Sequence, residues 1–390
     1  MTSLGQDIAE RVRRVLPASG APYSLHEPNL GEAEWAQVKQ CMETGWVSSA
    51  GGAVESLETA LEDFTGASHA VATVNGTAAL HTCLMLAGVK PGDEVLLPTL
   101  TFVATANVVS YCGAIPHFVD SEPNSFGVDA AKLADYLKDI ADVDAEGCCR
   151  NRQTGRPLAA LIVVHCMGHP ADLDALSALC EDHGIILIED AAAALGSYYR
   201  GQHVGRHGLL SALSFNGNKI VTTGGGGAVL VNDGELAQRA KSLTTTARRG
   251  GEWEHVHDAV GYNYRLPALN AALGCAQMER LDGFLSSKRK LAERYEDAFR
   301  DLNAVTAVTE PDYGRSNFWM NTILLDGEYA AERDQILQAA IDAGFVCGPA
   351  WRPMHRLAMY ADCPRMALNC AEDLQKRVIN LPSSAGLVDA

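Results

Sequence analysis

The 390-residue chain is 47% hydrophobic and carries a formal net charge of −17, which allows a large core and gives the wrong sign for a broad grip on nucleic acid or anionic lipid. Its first stretch, "MTSLGQDIAERVRRVLPASG", lacks an apolar centre of signal-peptide type, and the longest strongly apolar run, "LAALIVVHC" (158–166), is too short to span a bilayer, so a cytoplasmic protein with no membrane or nucleic-acid partner is expected. Eleven cysteines without paired spacing read as reduced thiols, buried as small hydrophobes.

Short apolar runs then alternate with helical stretches. "HAVATVN" (69–75) predicts a buried strand before a helix over 77–87, and "EVLLPT" (94–99) another before a helix over 102–112. "IPHFVD" (115–120) is the third strand, and the polar stretch "DVDAEGCCRNRQTGRP" (142–157) reads as a surface insertion. "LAALIVVH" (158–165), a helix over 172–183, "GIILIED" (184–190), "SALSFN" (211–216), "GAVLVND" (227–233) and a helix over 234–243 complete the alternation. Such βα alternation predicts an α/β fold with a largely parallel sheet. From about residue 265 the pattern turns to long charged helices, so a large domain over 28–260 and a smaller α/β domain over 261–390 are expected, with residues 1–27 as an arm.

In open α/β sheets ligands bind beyond the carboxyl ends of the strands. Asn75-Gly76-Thr77 stands at the entry to a helix, where free amides and the positive end of the dipole suit an anion such as phosphate. "IILIEDAAA" ends in Glu189-Asp190, and "SALSFNGNK" brings Ser214 and then Lys219, with glycines 224–227 placed to turn the chain beside a bound group. Taken singly, Lys219 reads as a solvated loop lysine and Asp190 as a strand-end acid. Together they are the two side chains a pyridoxal phosphate enzyme requires, an amine for the Schiff base and a carboxylate to keep the pyridine nitrogen protonated. The pairs "HCMGH" (165–169) and "HVGRH" (203–207) lack a second paired-cysteine element for zinc, so no metal is expected, and the glycine run lacks the G-K-[ST] of a nucleotide-triphosphate loop.

The ordered stretches "GWVSSAGGAVESLETALEDFTGASHAVATVNGTAALH", "PGDEVLLPTLTFVATANVV", "GAIPHFVD", "GHPADLDAL", "IEDAAAALGSYYRG", "SFNGNKIVTTGGGGAVLVND" and "GYNYRLPALNAALGCAQMERLD" resemble the DegT/DnrJ/EryC1/StrS sugar aminotransferases, pyridoxal phosphate enzymes of fold type I, the aspartate aminotransferase-like fold. The resemblance implies Lys219 as the Schiff-base lysine and proton shuttle, and Asp190 as the partner of the pyridinium. It implies a phosphate site from Gly76, Thr77, Ala78 and Ser214, and Phe102 stacked on the ring. Asn263 of "GYNYR" is similar to the residue that reaches the phosphate of the neighbouring subunit, implying a homodimer with shared active sites. Trp351, Arg352 and His355 would border the substrate. "NGNKIVTTGGGG", the 142–157 insertion, "WRPMHRLAMY" and "NLPSSA" are similar to the branch that aminates UDP-linked 4-keto-6-deoxy-2-acetamido sugars toward legionaminic acid-like products. The implied activity is ping-pong transfer of an amino group from glutamate to a nucleotide-linked keto sugar. Sugar dehydration, aromatic-amine synthesis and a non-catalytic regulatory role are the alternatives, and Lys219 speaks against the dehydratases, which usually carry histidine there. One departure stands out: after "EDAA" most relatives carry Gln, His or Glu, beside the cofactor's 3′-oxygen, where this chain has Ala193.

Overall fold

The computed structural model describes residues 3–17, 22–49, 51–249, 253–254 and 256–388. Helix α1 (Leu4–Val15) opens on a capping box between Ser3 and Gln6; α2 (Glu32–Thr44) and α3 (Gly52–Thr65) follow. Next come β1 (His69–Thr73), α4 (Gly76–Leu86), β2 (Glu94–Pro98), α5 (Val103–Tyr111), β3 (Ile115–Val119) and α6 (Ala130–Ile140). The hairpin β4 (Ala141–Val143) and β5 (Cys149–Asn151) leads to β6 (Leu158–Val164), α7 (Leu173–His183) and β7 (Ile186–Asp190). A short ribbon, β8 (Tyr198–Tyr199) and β9 (Gln202–His203), precedes β10 (Leu210–Ser214), β11 (Gly227–Val231) and α8 (Gly234–Thr244). Beyond the pair β12 (Arg248–Arg249) and β13 (Val256–His257) lie α9 (Ala268–Glu279), α10 (Leu281–Phe299), β14 (Val305–Ala307), β15 (Gly314–Arg315) and β16 (Asn321–Leu325). Helix α11 (Arg333–Asp342), β17 (Gly348–Pro349), α12 (Asn369–Arg377) and β18 (Val378–Leu381) end the chain.

The main sheet runs β1-β11-β10-β7-β6-β2-β3. Only β11 points against its neighbours; β10, β7, β6, β2 and β3 are mutually parallel. Strands buried on both faces explain their unbroken apolar sequence: on β2, Leu96 packs into one core while Val95 and Leu97 enter the other. A second, antiparallel sheet, β14-β16-β18-β17, carries the C-terminal part. Residues Ile8 and Val12 of α1 pack there with Leu291, Tyr295 and Ile336, so the N-terminal arm is built into the C-terminal core.

The expected surface insertion is more firmly held than its polarity suggests. Asn151 is buried, and its amide donates to Glu94 at 2.8 Å while Thr154 donates at 2.7 Å. All eleven cysteines are free, and no helix among the described residues is long and apolar enough to cross a membrane.

Candidate active site

A cavity of about 340 Å³ opens at the carboxyl ends of the parallel strands, where the topology places ligands. One corner is the start of α4. Asn75 caps it by accepting from the Ala78 amide at 2.8 Å. The amides of Gly76 and Thr77, which head the helix with no carbonyl a turn earlier to bond, line the cavity, with the dipole adding positive potential. Ser214, at the end of β10, closes the corner. The approach is tight enough to require glycine, since a Cβ on Gly76 would stand 2.7 Å from that of Ser214, and one on Gly227 2.7 Å from the Gly76 nitrogen. Gly227 therefore lies behind the anion corner and lets it close, and none of the glycines 224–227 lines the cavity. The Ala78 amide is engaged by Asn75, and Ala78 is not among the residues lining the cavity.

Asp190 ends β7 in the cavity wall. Its Oδ2 accepts from Thr105 Oγ1 at 2.9 Å and its Oδ1 from the Ala192 amide at 3.2 Å, both neutral donors. Burial pushes its pKa up, and these bonds with the charge of Lys219 oppose the rise only in part. Glu189, one residue earlier, faces the other side of the sheet and is differently served. Burial would raise its carboxyl, but His165 Nε2 at 3.0 Å and the amides of Gly205, His207 and Gly208, each at 2.7 Å, hold it down at about 2. Of the two histidine motifs, only His165 joins this network by its ring: the Ala171 amide donates to His165 Nδ1, which leaves the ring proton on the side of Glu189, while His203 Nε2 accepts from the Gly196 amide and both ring nitrogens of buried His169 have no hydrogen-bond partner among the described residues.

Lys219 reaches the same cavity. Burial brings its pKa down to about 8, with Asp190 pulling the other way, so a useful fraction of free amine exists near neutrality. Its Nζ lies over the Trp319 indole, 3.9 Å from the ring centroid. Phe102, at the N-cap of α5, is 57% exposed and stands at the cavity mouth, and Ala193 and Trp351 are further wall residues. Arg352 is exposed and does not line the cavity. His355 is spent elsewhere, with Nδ1 2.8 Å from Thr99 Oγ1 and Nε2 3.0 Å from Glu372. Asn263 is exposed outside this cavity, its Oδ1 accepting from Arg265.

Thr105, Trp319 and Asn317 escaped the sequence reading. Thr105 lies one turn into a helix already placed beside the site, so its spacing from Phe102 was a usable signal. Trp319 and Asn317 follow no strand end of the main sheet, and only the tertiary fold brings them in.

These residues fit the cofactor the resemblance implies. An amide-and-hydroxyl corner suits a phosphate, a buried carboxylate without a hydrogen-bonded cation suits a protonated pyridine nitrogen, and an amine with a lowered pKa suits an aldehyde.

The family model of the DegT/DnrJ/EryC1/StrS aminotransferases matches residues 28–390. A GDP-perosamine synthase of Caulobacter vibrioides is 37% identical over 94% of both chains, and the putative pyridoxal phosphate-dependent aminotransferase EpsN of Bacillus subtilis is 33% identical over 94% of this chain and 92% of its own. Among solved structures, the aminotransferase TlmJ of Streptoalloteichus hindustanus superposes with a TM-score of 0.84 at 29% identity, covering 94% of each chain. With the expected α/β architecture and cofactor-type site in place, the chain belongs to the DegT/DnrJ/EryC1/StrS aminotransferase family and is a pyridoxal 5′-phosphate-dependent sugar aminotransferase.

Proposed function

We propose that the protein transfers an amino group from an amino acid, glutamate in the simplest case, to the keto carbon of a nucleotide-linked 4-keto-6-deoxy sugar, by a ping-pong mechanism. The observation that carries this reading is the convergence of Lys219, Asp190 and the Gly76–Thr77–Ser214 corner on one cavity. When bound, pyridoxal phosphate supplies an aldehyde to take up the amino group and a ring to accept the electron pair of a broken C–H bond. The chain's own groups do the rest. The amides of Gly76 and Thr77 and the Ser214 hydroxyl would hold the phosphate, and the Phe102 ring would cover the cofactor from the mouth. Asp190 keeps the ring nitrogen charged, and that cation in turn offsets the burial that pushes the carboxyl up. Lys219 is the amine that would hold the cofactor through its aldehyde and, when released, would accept and return a proton at its Nζ. Trp351, a wall residue of the cavity, would border the nucleotide sugar.

Two nucleotides compete. The "NGNKIVTTGGGG" and "WRPMHRLAMY" stretches support a UDP-linked 2-acetamido sugar, whereas the Caulobacter relative is named for a GDP-linked amine. The deciding experiment loads the amine form of the cofactor and offers UDP-, GDP- and dTDP-linked 3- and 4-keto sugars in turn, following the return of the aldehyde-form absorbance. Restoration by a UDP- or GDP-linked 4-keto sugar is expected, and restoration by none would remove the sugar reading.

We also propose a homodimer with shared sites. Asn263 is exposed and outside its own chain's cavity, and Trp35 and Trp46, at 70% and 60% exposure, mark an apolar surface on and after α2. Mixing inactive Lys219→Ala chains with inactive Asn263→Asp chains should restore part of the activity, because one site of each mixed dimer carries neither lesion. Mixed dimers without activity would sink the shared site.

A further inference from the structure

Trp319 precedes β16, far along the chain from Lys219, yet every polar atom it owns is tied to the active site or its frame. Its backbone N–H donates to Asn317 Oδ1 at 2.8 Å. Its carbonyl accepts from Lys288 Nζ at 3.2 Å. Its indole Nε1–H donates at 2.7 Å to the carbonyl of Asn218, the residue immediately before Lys219. The two anchors are themselves anchored. Asn317 donates to the carbonyls of Ala193 and Leu195, at 3.0 and 2.9 Å, in the turn that follows Asp190. Lys288, wholly buried, also donates to the Ser383 carbonyl at 2.5 Å and meets His26 Nε2 at 3.1 Å. The residue is held by its backbone at two points and by its ring at one, and Lys219 Nζ lies on the indole face.

We propose that Trp319 is the seat of the Lys219 amine whenever that amine is not covalently engaged, receiving the ammonium on its indole face and returning the lysine to reaction from one fixed position. Trp319 is thereby a positioning residue. The inference rests on the reading of Lys219 as the reacting amine.

The charges around the lysine show why a ring is suited to this task. Asp190 and His165 face the cavity from the sheet, His26 approaches from the N-terminal segment, and Lys288 stands behind the Trp319 carbonyl. Of these only Asp190 is an anion, and it is needed by the cofactor nitrogen. The indole face is the electron-rich surface on which the amine lies, and it attracts a cation through the ring quadrupole. It also has no site to take a proton. A carboxylate in that place would hold the ammonium strongly and keep the amine from releasing its proton near neutrality; the indole stabilises the charge modestly and leaves the amine able to lose it. The indole N–H bond to Asn218 then fixes the backbone from which the lysine swings, so head group and stem are placed by one side chain.

The test lowers the electron density of the ring without changing its shape. Tryptophans bearing increasing numbers of fluorine atoms are placed at position 319 alone, and the full-length protein is freed of cofactor. Reductive methylation by formaldehyde and cyanoborohydride is followed across neutral to alkaline pH, with peptide mass spectrometry giving the apparent pKa of Lys219 and, as a control, of exposed Lys39. The Lys219 pKa should fall stepwise with fluorination, by about half a unit to one unit over the series, while Lys39 stays put. A Lys219 pKa that is flat across the series overturns the proposal. Tryptophan emission provides a second measurement on unfluorinated chains. Cofactor-free wild type should show a pH-dependent step with the midpoint found by methylation, absent in Lys219→Met; identical emission titrations in the two proteins also overturn it. Turnover of keto sugars by the same chains reads the function separately. A flat series in an active enzyme removes the seat and leaves the activity, and a stepwise fall in a protein inert to every keto sugar does the reverse.

Discussion

Two buried carboxylates of the main sheet, Glu94 at the amino end of β2 and Asp190 at the carboxyl end of β7, are treated in opposite ways. At the amino end of β2 and β3, Glu94 and His117 are wholly buried and fully served: His117 Nδ1 is 2.8 Å from Glu94 Oε2, His117 Nε2 is 2.9 Å from the Tyr136 hydroxyl, and Asn151 and Thr154 complete the Glu94 oxygens. Burial would raise the Glu94 carboxyl, but these partners hold it below its usual range. At the carboxyl end, Asp190 has only neutral donors and burial wins, while Lys219 rests on an indole face in place of a hydrogen-bonding oxygen. A saturated polar cluster is a fastening, and here it pins the 142–157 hairpin to the sheet. An undersaturated one retains the capacity to bind, because its groups gain most when a ligand supplies the missing partner.

The comparison breaks most visibly at Lys219. Replacing it by Ala removes the amine but leaves the Gly76–Thr77–Ser214 corner, so the variant should still take up added cofactor, seen by absorbance, and turn over at a negligible rate. Near-native steady-state turnover in Lys219→Ala would mean that the undersaturated end is not the reacting end.

Asp190→Asn comes next. The amide keeps the shape and the Thr105 bond but can no longer balance a positive ring nitrogen by charge. The turnover number should fall by orders of magnitude, at roughly tenfold per 1.4 kcal/mol of lost stabilisation. A fall smaller than about tenfold would assign the role to another group.

Glu94→Gln probes the other end, and here stability should suffer instead of chemistry. An amide cannot accept from His117, Asn151 and Thr154 together as a carboxylate does, so urea unfolding at neutral pH should show a loss of about 2–3 kcal/mol, with turnover little changed at permissive temperature. The sign with pH follows from the depressed folded-state pKa. Stability from Glu94 is fully present above its usual value of 4.5 and is lost as pH falls through the lower folded value. The advantage of wild type over Glu94→Gln should therefore narrow in acid. A gap that widens in acid, or a large drop in turnover with stability intact, would reverse the assignment of the two ends.

How much of this was legible in the sequence depended on the range of the interactions. Strand ends are local, so Asp190, Ser214 and Lys219 could be read from the edges of apolar runs, and Asn75-Gly76-Thr77 from helix-cap chemistry. The glycines at 224–227 were visible but not the use of the last, since what Gly227 admits is the backbone of residues 75 and 76 at the start of α4, far earlier in the chain. The 142–157 stretch looked like free surface because Asn151 and Thr154 are polar; their partner, Glu94, is itself polar and buried, a pairing no hydrophobic pattern reveals. His355 was a substrate residue by resemblance, and only the fold shows it held between Thr99 and Glu372. Trp319 is the extreme case, an aromatic whose place beneath the lysine depends on contacts with Asn218, Asn317 and Lys288 together.

The smallest expected effect lies at Ala193, a wall residue of the cavity whose carbonyl is held by Asn317. That bond fixes the backbone, so a longer side chain at 193 would extend from a set position without disturbing the turn. We propose that it would meet the phenolic 3′-oxygen of the cofactor. A donor there stabilises the anionic oxygen and alters the affinity of the proton shared between that oxygen and the adjacent nitrogen, whereas alanine makes no such bond. In Ala193→Gln, the pH at which the absorbance of the bound cofactor changes should shift by about half a unit to one unit, equivalent to about 0.7–1.4 kcal/mol. Preference among sugars should hardly move, because the altered contact is with the cofactor. Absorbance titrations of wild type and variant that superimpose would show that the side chain at 193 does not reach the 3′-oxygen, and would leave the lysine's proton to be governed by Asp190 and Trp319 alone.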